Sequence, residues 1–348
     1  MKILYGVQAT GNGHISRSRE VIRELKKMGH DLRVILSGRD PSLFWEMEIF
    51  EPYESFRGLT FAYHRGKLKY IQTVLQLNLF QFYRDIHAFN TDGYDLVITD
   101  FEPLSARIAR RNALPLIGIG HQYAFVHDIP MDGANSLSRF VIKNYAPVDF
   151  PIGLHWHHFD QPILPPIIPN HFRQNQQVTP NKIIGYLPFE KSDDIIALVK
   201  DFARYDFYIY HRFKKAEDHK NLHLRPYSRT GFLNDLAECN GVICNAGFEL
   251  VSEALCLGKR ILVKPLAGQI EQVSNALAIS LLKLGMVMRE LDKTRVAQLL
   301  DSRAGTPLEI PDVALMIANW IDSGQWEDVD GLARMAWSRN KTVIGNKN

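Results

Sequence analysis

The sequence lacks any uninterrupted apolar run approaching the ~18 residues that a membrane-spanning helix needs. Its first residues, Met1-Lys2, lead straight into an apolar stretch too short for the core of a secretory leader. Cysteine is scarce. The three thiols, Cys239, Cys244 and Cys256, are odd in number and form no CxxC pair, which excludes a complete disulfide framework and suits a reducing compartment. No charge of one sign dominates, because 41 Lys and Arg face 38 Asp and Glu for a net charge of +3. With no basic block interleaved with aromatics, nucleic acid is not an expected partner; the slight positive excess suits a phosphate-bearing ligand or an anionic membrane surface. There is no GxGxxG, no P-loop Lys-Ser/Thr, no repeat and no low-complexity tract. His155 and His157 would share one strand face, but no carboxylate or cysteine stands at ligand spacing, and Asp193-Asp194 reads as a helix start, so no metal is expected. The expected location is the cytoplasm, with room for peripheral contact at the inner membrane surface.

What is there is an ordinary globular composition, 46% hydrophobic and 23% charged, in 348 residues, long enough that two domains are the expectation. Short apolar strands alternate with helical periodicity, which predicts an α/β protein with parallel sheets. The proline-rich segment from Gln161 to Pro169 is stiff and extended and marks a boundary. The reading is a first domain over 1–165, a second over 166–325, and a terminal segment over 326–348 that packs back toward the first.

Two strand, glycine, helix units stand out. In the first, Ile3 to Val7 is followed by Gly11-Asn12-Gly13-His14 and a helix with Ile15, Val21, Ile22 and Leu25 on one face. Arg17 and Arg19 lie on this helix and suit either the cleft or a solvated face. Strands ending at Asp100 and at His121 open on the same rim of a parallel sheet, where ligands bind. A third strand is expected over Leu59 to Tyr63, and a helix with an unusually broad apolar stripe over Lys67 to Phe89.

The second unit runs from Gly241 to Ala276 and organises the chain. Gly-Val-Ile-Cys-Asn245 reads as a buried strand, Ala246-Gly247 breaks the pattern, and Phe248 to Leu257 is helical. The exposed N–H groups of such a helix start, with the helix dipole behind them, form a place for an anion such as a diphosphate. Glu253, within the helix, could accept two hydrogen bonds from a vicinal diol such as a ribose. Glu271 and Gln272 open another helix toward the same space. Arg212 leaves a strand end beside it.

The ordered run Asn245-Ala246-Gly247, Glu253, Gly258-Lys259, Pro265, Gln272 and Asn275-Ala276 resembles the nucleotide-sugar half of GT-B glycosyltransferases. It is most similar to the branch that adds N-acetylglucosamine to lipid-linked peptidoglycan precursors. Gly11-Asn-Gly-His-Ile-Ser-Arg-Ser-Arg19 looks like the first loop of archaeal and bacterial relatives of that branch, and of the nucleotide-sugar hydrolase of pseudaminic acid biosynthesis. The resemblance implies two Rossmann-like domains facing a cleft, and a metal-independent transfer of a sugar from a nucleotide diphosphate donor, with uridine favoured. It implies no cofactor beyond that donor and an acceptor that is a glycan or a lipid-linked, cell-envelope hydroxyl. It assigns the diphosphate to Gly247, the ribose to Glu253, the sugar hydroxyls to Glu271 and Gln272, and makes Tyr227 and Phe232 candidates to contact the base; Glu271 stands where many relatives carry Gln or Asp. His14 becomes the general base, oriented by Asp100, with Asn12 and His121 on the acceptor side and Gly13, Asn245, Ala246 and Phe248 beside the donor. Hydrolysis of the nucleotide sugar and non-catalytic binding are the alternatives.

Overall fold

The computed structural model describes residues 1–41, 44, 46–59, 63–64, 67–68, 78–134, 136–173 and 177–339. The first sheet contains β1 (Lys2–Gln8), β2 (Asp31–Ser37) and β3 (Tyr53–Phe56), and a short hairpin of β4 (Tyr63–His64) and β5 (Lys67–Leu68) follows them outside it. β6 (Leu96–Asp100), β7 (Leu116–Gly120), β8 (Phe150–Leu154) and β9 (Ile163–Leu164) complete the sheet in the order β3-β2-β1-β6-β7-β8-β9. All its pairings are parallel. Parallel strands carry helices on both faces, which is why β1, β6 and β7 are buried along nearly their whole length rather than alternately.

The second sheet is built from β10 (Lys182–Tyr186), β11 (Asp206–His211), β12 (Glu217–His219), β13 (Leu222–Pro226), β14 (Gly241–Asn245), β15 (Arg260–Lys264) and β16 (Met286–Val287). Its order is β12-β13-β11-β10-β14-β15-β16, parallel except for the antiparallel edge strand β12. Both sheets therefore reverse their winding beside their first strand, between β1 and β6 and between β10 and β14. Such switch points open a crevice at the C-terminal ends of the strands. Close packing there has a sequence cause: a Cβ on Gly6 would lie 2.0 Å from Ser105 Oγ on the helix Pro103–Arg111, so only glycine lets that helix sit on β1.

Two expectations change. The strand after β2 is Tyr53–Phe56, earlier than the expected Leu59 to Tyr63, of which positions 60–62 lie outside the described residues. Among the described residues the expected helix from Lys67 to Phe89 is helical over Leu79–Ala88, where Asn78 caps the start by accepting from Gln81 N; Lys67 and Leu68 belong to the hairpin, and 69–77 lie outside the described residues. The apolar stripe hid this boundary, since periodicity alone does not mark where a helix is capped.

After β9 the chain passes to the second sheet, and it returns at the end. The helix Val313–Ser323 packs on Asn12–Lys27 and is closed by Gly324 at φ 71°. The helix Val329–Ser338 then lies against β8 and β9, where Trp337 Nε1 donates to the Ile163 carbonyl at 2.6 Å. Positions 340–348 of the expected terminal segment lie outside the described residues.

Candidate active site

His14 and Asp100 meet at the switch point of the first sheet. The helix Asn12–Lys27 begins directly after β1 and carries His14 in its first turn, while Asp100 ends the neighbouring β6. His14 Nδ1 lies 2.9 Å from Asp100 Oδ1, with the imidazole 14% exposed and the carboxylate buried. Asp100 also accepts from Ser18 Oγ at 2.9 Å and from Arg17 through both carboxylate oxygens. Burial works to raise the Asp100 carboxyl, but the Arg17 guanidinium and His14 outweigh it and hold it below the ordinary range.

Arg17 was legible only as a residue of undecided face. It is buried, and its Nη1 donates to Glu249 Oε1 at 2.6 Å, on the helix Phe248–Cys256 of the second sheet. His14 and Arg17 stand three apart, on one face of one helix, and that spacing was the available signal. Glu249, which the sequence reading passed over, occupies the first turn after Gly247. Burial pushes its carboxyl up to about 7, against the opposing pull of Arg17. Gly13 is tied to the same contact, since a Cβ there would stand 2.6 Å from Glu249 Cγ.

Helix starts face this place without side-chain caps. Gly11 before Asn12–Lys27, Gly247 before Phe248–Cys256 and Gln269 before Ile270–Leu281 supply no capping hydrogen bond. Elsewhere Asn78, Glu102, Ser228, Asp292, Asp312 and Asp328 each cap their helix with a side-chain oxygen, while Lys191 before Ser192–Val199 does not. Gly247 has φ −74° and ψ 139°, which any residue adopts, and a Cβ there would meet nothing within 4 Å. Glycine is thus not demanded by the backbone; it leaves space in front of unsatisfied N–H groups. Beside it, Asn245 is buried at 6% exposure, its Nδ2 donating to the Lys264 carbonyl at 2.9 Å, while its Oδ1 has no partner among the described residues.

The remaining candidates fall into three groups. Glu253 is buried near Ser16 of the first half, and burial, reinforced by Glu249, pushes its carboxyl up to about 8. Glu271 Oε2 accepts from Gln122 Nε2 at 2.9 Å, whereas Gln272 turns back to accept from Leu266 N at 3.0 Å and braces the preceding loop. Asn12 is exposed and accepts from Arg39 Nη2 at 2.8 Å.

His121 and Phe248 form the floor between the sheets. Their rings stack at 3.9 Å with planes 4° apart. His121 is fully buried, with Nδ1 2.8 Å from the Leu154 carbonyl oxygen and Nε2 2.7 Å from Asn275 Oδ1, so neither nitrogen is open to an acceptor in this arrangement. Asn275 is oriented by donating from Nδ2 to the Ala246 carbonyl at 2.9 Å. At the C-terminal ends of β10, β11 and β13, an aromatic cluster joins Tyr186 to Tyr227 and Phe232, with ring centroids 6.1 and 5.3 Å apart. Exposed Arg212 stands beside Tyr227, where it partly offsets the rise that burial imposes on the phenol. Among the described residues, no group of three or more His, Cys, Asp or Glu is placed to hold a metal ion.

The family model described as glycosyl transferase family 1 matches residues 1–303. Solved structures similar to this chain include the glycotransferase of kitacinnamycin, with TM-score 0.61, 15% identity, and 97% of this chain and 95% of that one covered. LpCGTa in complex with UDP is similar at TM-score 0.58 and 14% identity over 98% of this chain and 100% of that one. The spinosyn rhamnosyltransferase SpnG complexed with thymidine diphosphate is similar at TM-score 0.57 and 14% identity, over 97% and 96%. Identities this low carry the GT-B fold and no more. No curated protein matches.

Proposed function

This chain belongs to glycosyl transferase family 1 and has the GT-B fold, and from that premise we propose that it transfers a sugar from a nucleotide diphosphate, with His14 as base and without a metal. The observation that carries the reading is a juxtaposition. The His14–Asp100 pair and the open, uncapped helix start at Gly247 stand across one cleft, joined by Arg17 and Glu249.

The two parts have complementary chemistry. A diphosphate leaving group gathers negative charge as its bond to the anomeric carbon breaks, and a helix start stabilises such charge by up to about 2 kcal/mol when partly buried. That contribution takes the place of a divalent cation. Asp100, accepting Nδ1–H, leaves Nε2 of His14 to take the proton of the acceptor hydroxyl as its oxygen attacks the sugar. The orphan Asn245 Oδ1 suits a hydroxyl of the donor, and the cluster of Tyr186, Tyr227 and Phe232 offers aromatic surface to its base. UDP and thymidine diphosphate, each bound by a neighbour of the same fold, are the first donors to try.

An apolar or lipid-linked acceptor is supported by the helix Leu79–Ala88, which leaves Leu79, Phe80 and Tyr83 exposed at 53%, 79% and 63%. Cosedimentation with anionic vesicles, reduced by Phe80→Ser, is the expected result; equal binding by both proteins removes the membrane from the reading. The donor is tested by thermal unfolding with UDP, dTDP, GDP, CDP and their sugar conjugates. A ligand at a hundred times its dissociation constant adds roughly 2.7 kcal/mol, which moves the transition by several degrees. If none of these nucleotides shifts a folded protein, the donor site is wrong. If sugar appears free instead of on an acceptor, in a reaction indifferent to chelator, hydrolysis replaces transfer.

A further inference from the structure

The base assigned above has a neighbour that works against it. Arg17 Nη2 lies 2.7 Å from His14 Nδ1, while Asp100 Oδ1 lies 2.9 Å from that same nitrogen. The two make opposite demands. A carboxylate requires Nδ1 to carry the proton, whereas a guanidinium, which only donates, requires Nδ1 to present its lone pair. One nitrogen of a neutral imidazole cannot meet both. The outcome decides competence, because a ring protonated on Nδ1 has Nε2 free to accept a proton, and a ring protonated on Nε2 does not.

What holds the guanidinium there comes from both halves of the molecule. On its own side it is bidentate on Asp100, Nε donating to Oδ2 at 2.8 Å and Nη2 to Oδ1 at 2.5 Å, and across the cleft Nη1 donates to Glu249 Oε1 at 2.6 Å. Nη2 also reaches Gln122 Oε1 at 3.2 Å. Arg17 is 3% exposed and Glu249 11%, so water screens this bridge poorly.

We propose that Arg17 is a positioning residue of the His14–Asp100 pair, pinned by Glu249 so that His14 rests with its proton on Nε2 and becomes a base only when Glu249 lets go. The inference rests on His14 being the base. Release has a physical agent. Glu249 stands in the first turn of the helix whose open start would receive a diphosphate, and two anions brought that close repel. Once freed from Glu249, the guanidinium settles on Asp100 alone. His14 then gives the Nε2 proton to water and takes one from water at Nδ1, which it donates to Asp100 Oδ1, with no net change in protons.

Ring-nitrogen shifts read this directly in the full chain labelled with ¹⁵N-histidine, with the His14 signals identified by their loss in His14→Gln. At about pH 8.5, above the ordinary histidine range, the ligand-free protein should show Nδ1 unprotonated and Nε2 protonated. Glu249→Met, which keeps the Arg17–Asp100 pair, should invert that pattern, as should Arg17→Met; should Arg17→Met fail to fold, Glu249→Met alone decides. A wild-type ring already protonated on Nδ1, a doubly protonated ring at that pH, or a pattern unchanged by Glu249→Met each overturns the proposal. The tautomer needs neither donor nor acceptor to be measured, so its failure is separate from failure of the base assignment, which falls if His14→Gln retains turnover.

Discussion

At the scale of single residues, the site sets charged groups in places that water barely reaches, and their protonation follows from what stands beside them. His14→Ala removes the proposed base and leaves the helix start untouched. Turnover should therefore fall by about 10²–10⁴-fold while the thermal shift given by a nucleotide stays within experimental error. Loss of that shift would instead place His14 in donor binding. Glu253 gives a stability prediction whose sign is fixed. Its carboxyl titrates near 4.5 when exposed and about 8 in the fold. The folded protein thus holds a proton that the unfolded chain has released, so this contribution is complete below about pH 4.5 and is lost as pH rises to about 8. Glu253→Gln keeps the neutral shape at every pH. Its melting temperature should gain on wild type steadily from acid to pH 8 and hold level beyond; a constant difference across that range would show that the fold leaves the Glu253 carboxyl unshifted. His14, Asp100 and Glu253 were visible in sequence because each follows a strand or a glycine turn in a fixed order. Arg17 and Glu249 were not, because their meaning lies in a contact between residues 232 positions apart.

Among elements, the helix Phe248–Cys256 carries the most explicit compromise. Its start has an open face where a capping side chain could stand, as Asp292 and Asp312 stand before Lys293–Asp301 and Val313–Ser323. Gly247→Asp would place a carboxylate against those N–H groups in a backbone conformation that tolerates it. Its stability should rise by about 0.3–1 kcal/mol while the nucleotide-induced thermal shift disappears, since both anions need the same donors. Retention of the shift at full size would move the diphosphate elsewhere. Parallel sheets were legible from alternating strand and helix patterns, and the glycine turns marked the helix starts that follow β1 and β14. The hairpin of β4 and β5 was not, nor was the late start of Leu79–Ala88, because an apolar stripe has the same period whether or not the backbone continues the helix.

For the molecule as a whole, the two halves are bound by more than a linker. Trp156 Nε1 donates to Ser252 Oγ at 2.8 Å, His121 stacks on Phe248, and Arg17 meets Glu249. One hydrophobic cluster runs without interruption from β1 through Trp156 and Phe248 to Ile317. Calorimetry of the ligand-free protein should consequently show a single transition, with calorimetric and van't Hoff enthalpies in agreement. Two resolved transitions would mean that these contacts contribute little and that each half melts by itself.

The return of the chain through Val313–Ser323 and Val329–Ser338 has a bearing on recombination. A second-sheet half exchanged between two such proteins has two seams: one between Leu164 and Lys182, the other between Asp301 and Val313. The tail must stay with the half built on the first sheet. A chimaera cut once, with everything after the first seam taken from another parent, would set a foreign side chain where Trp337 grips Ile163, and would open the joint it was meant to preserve.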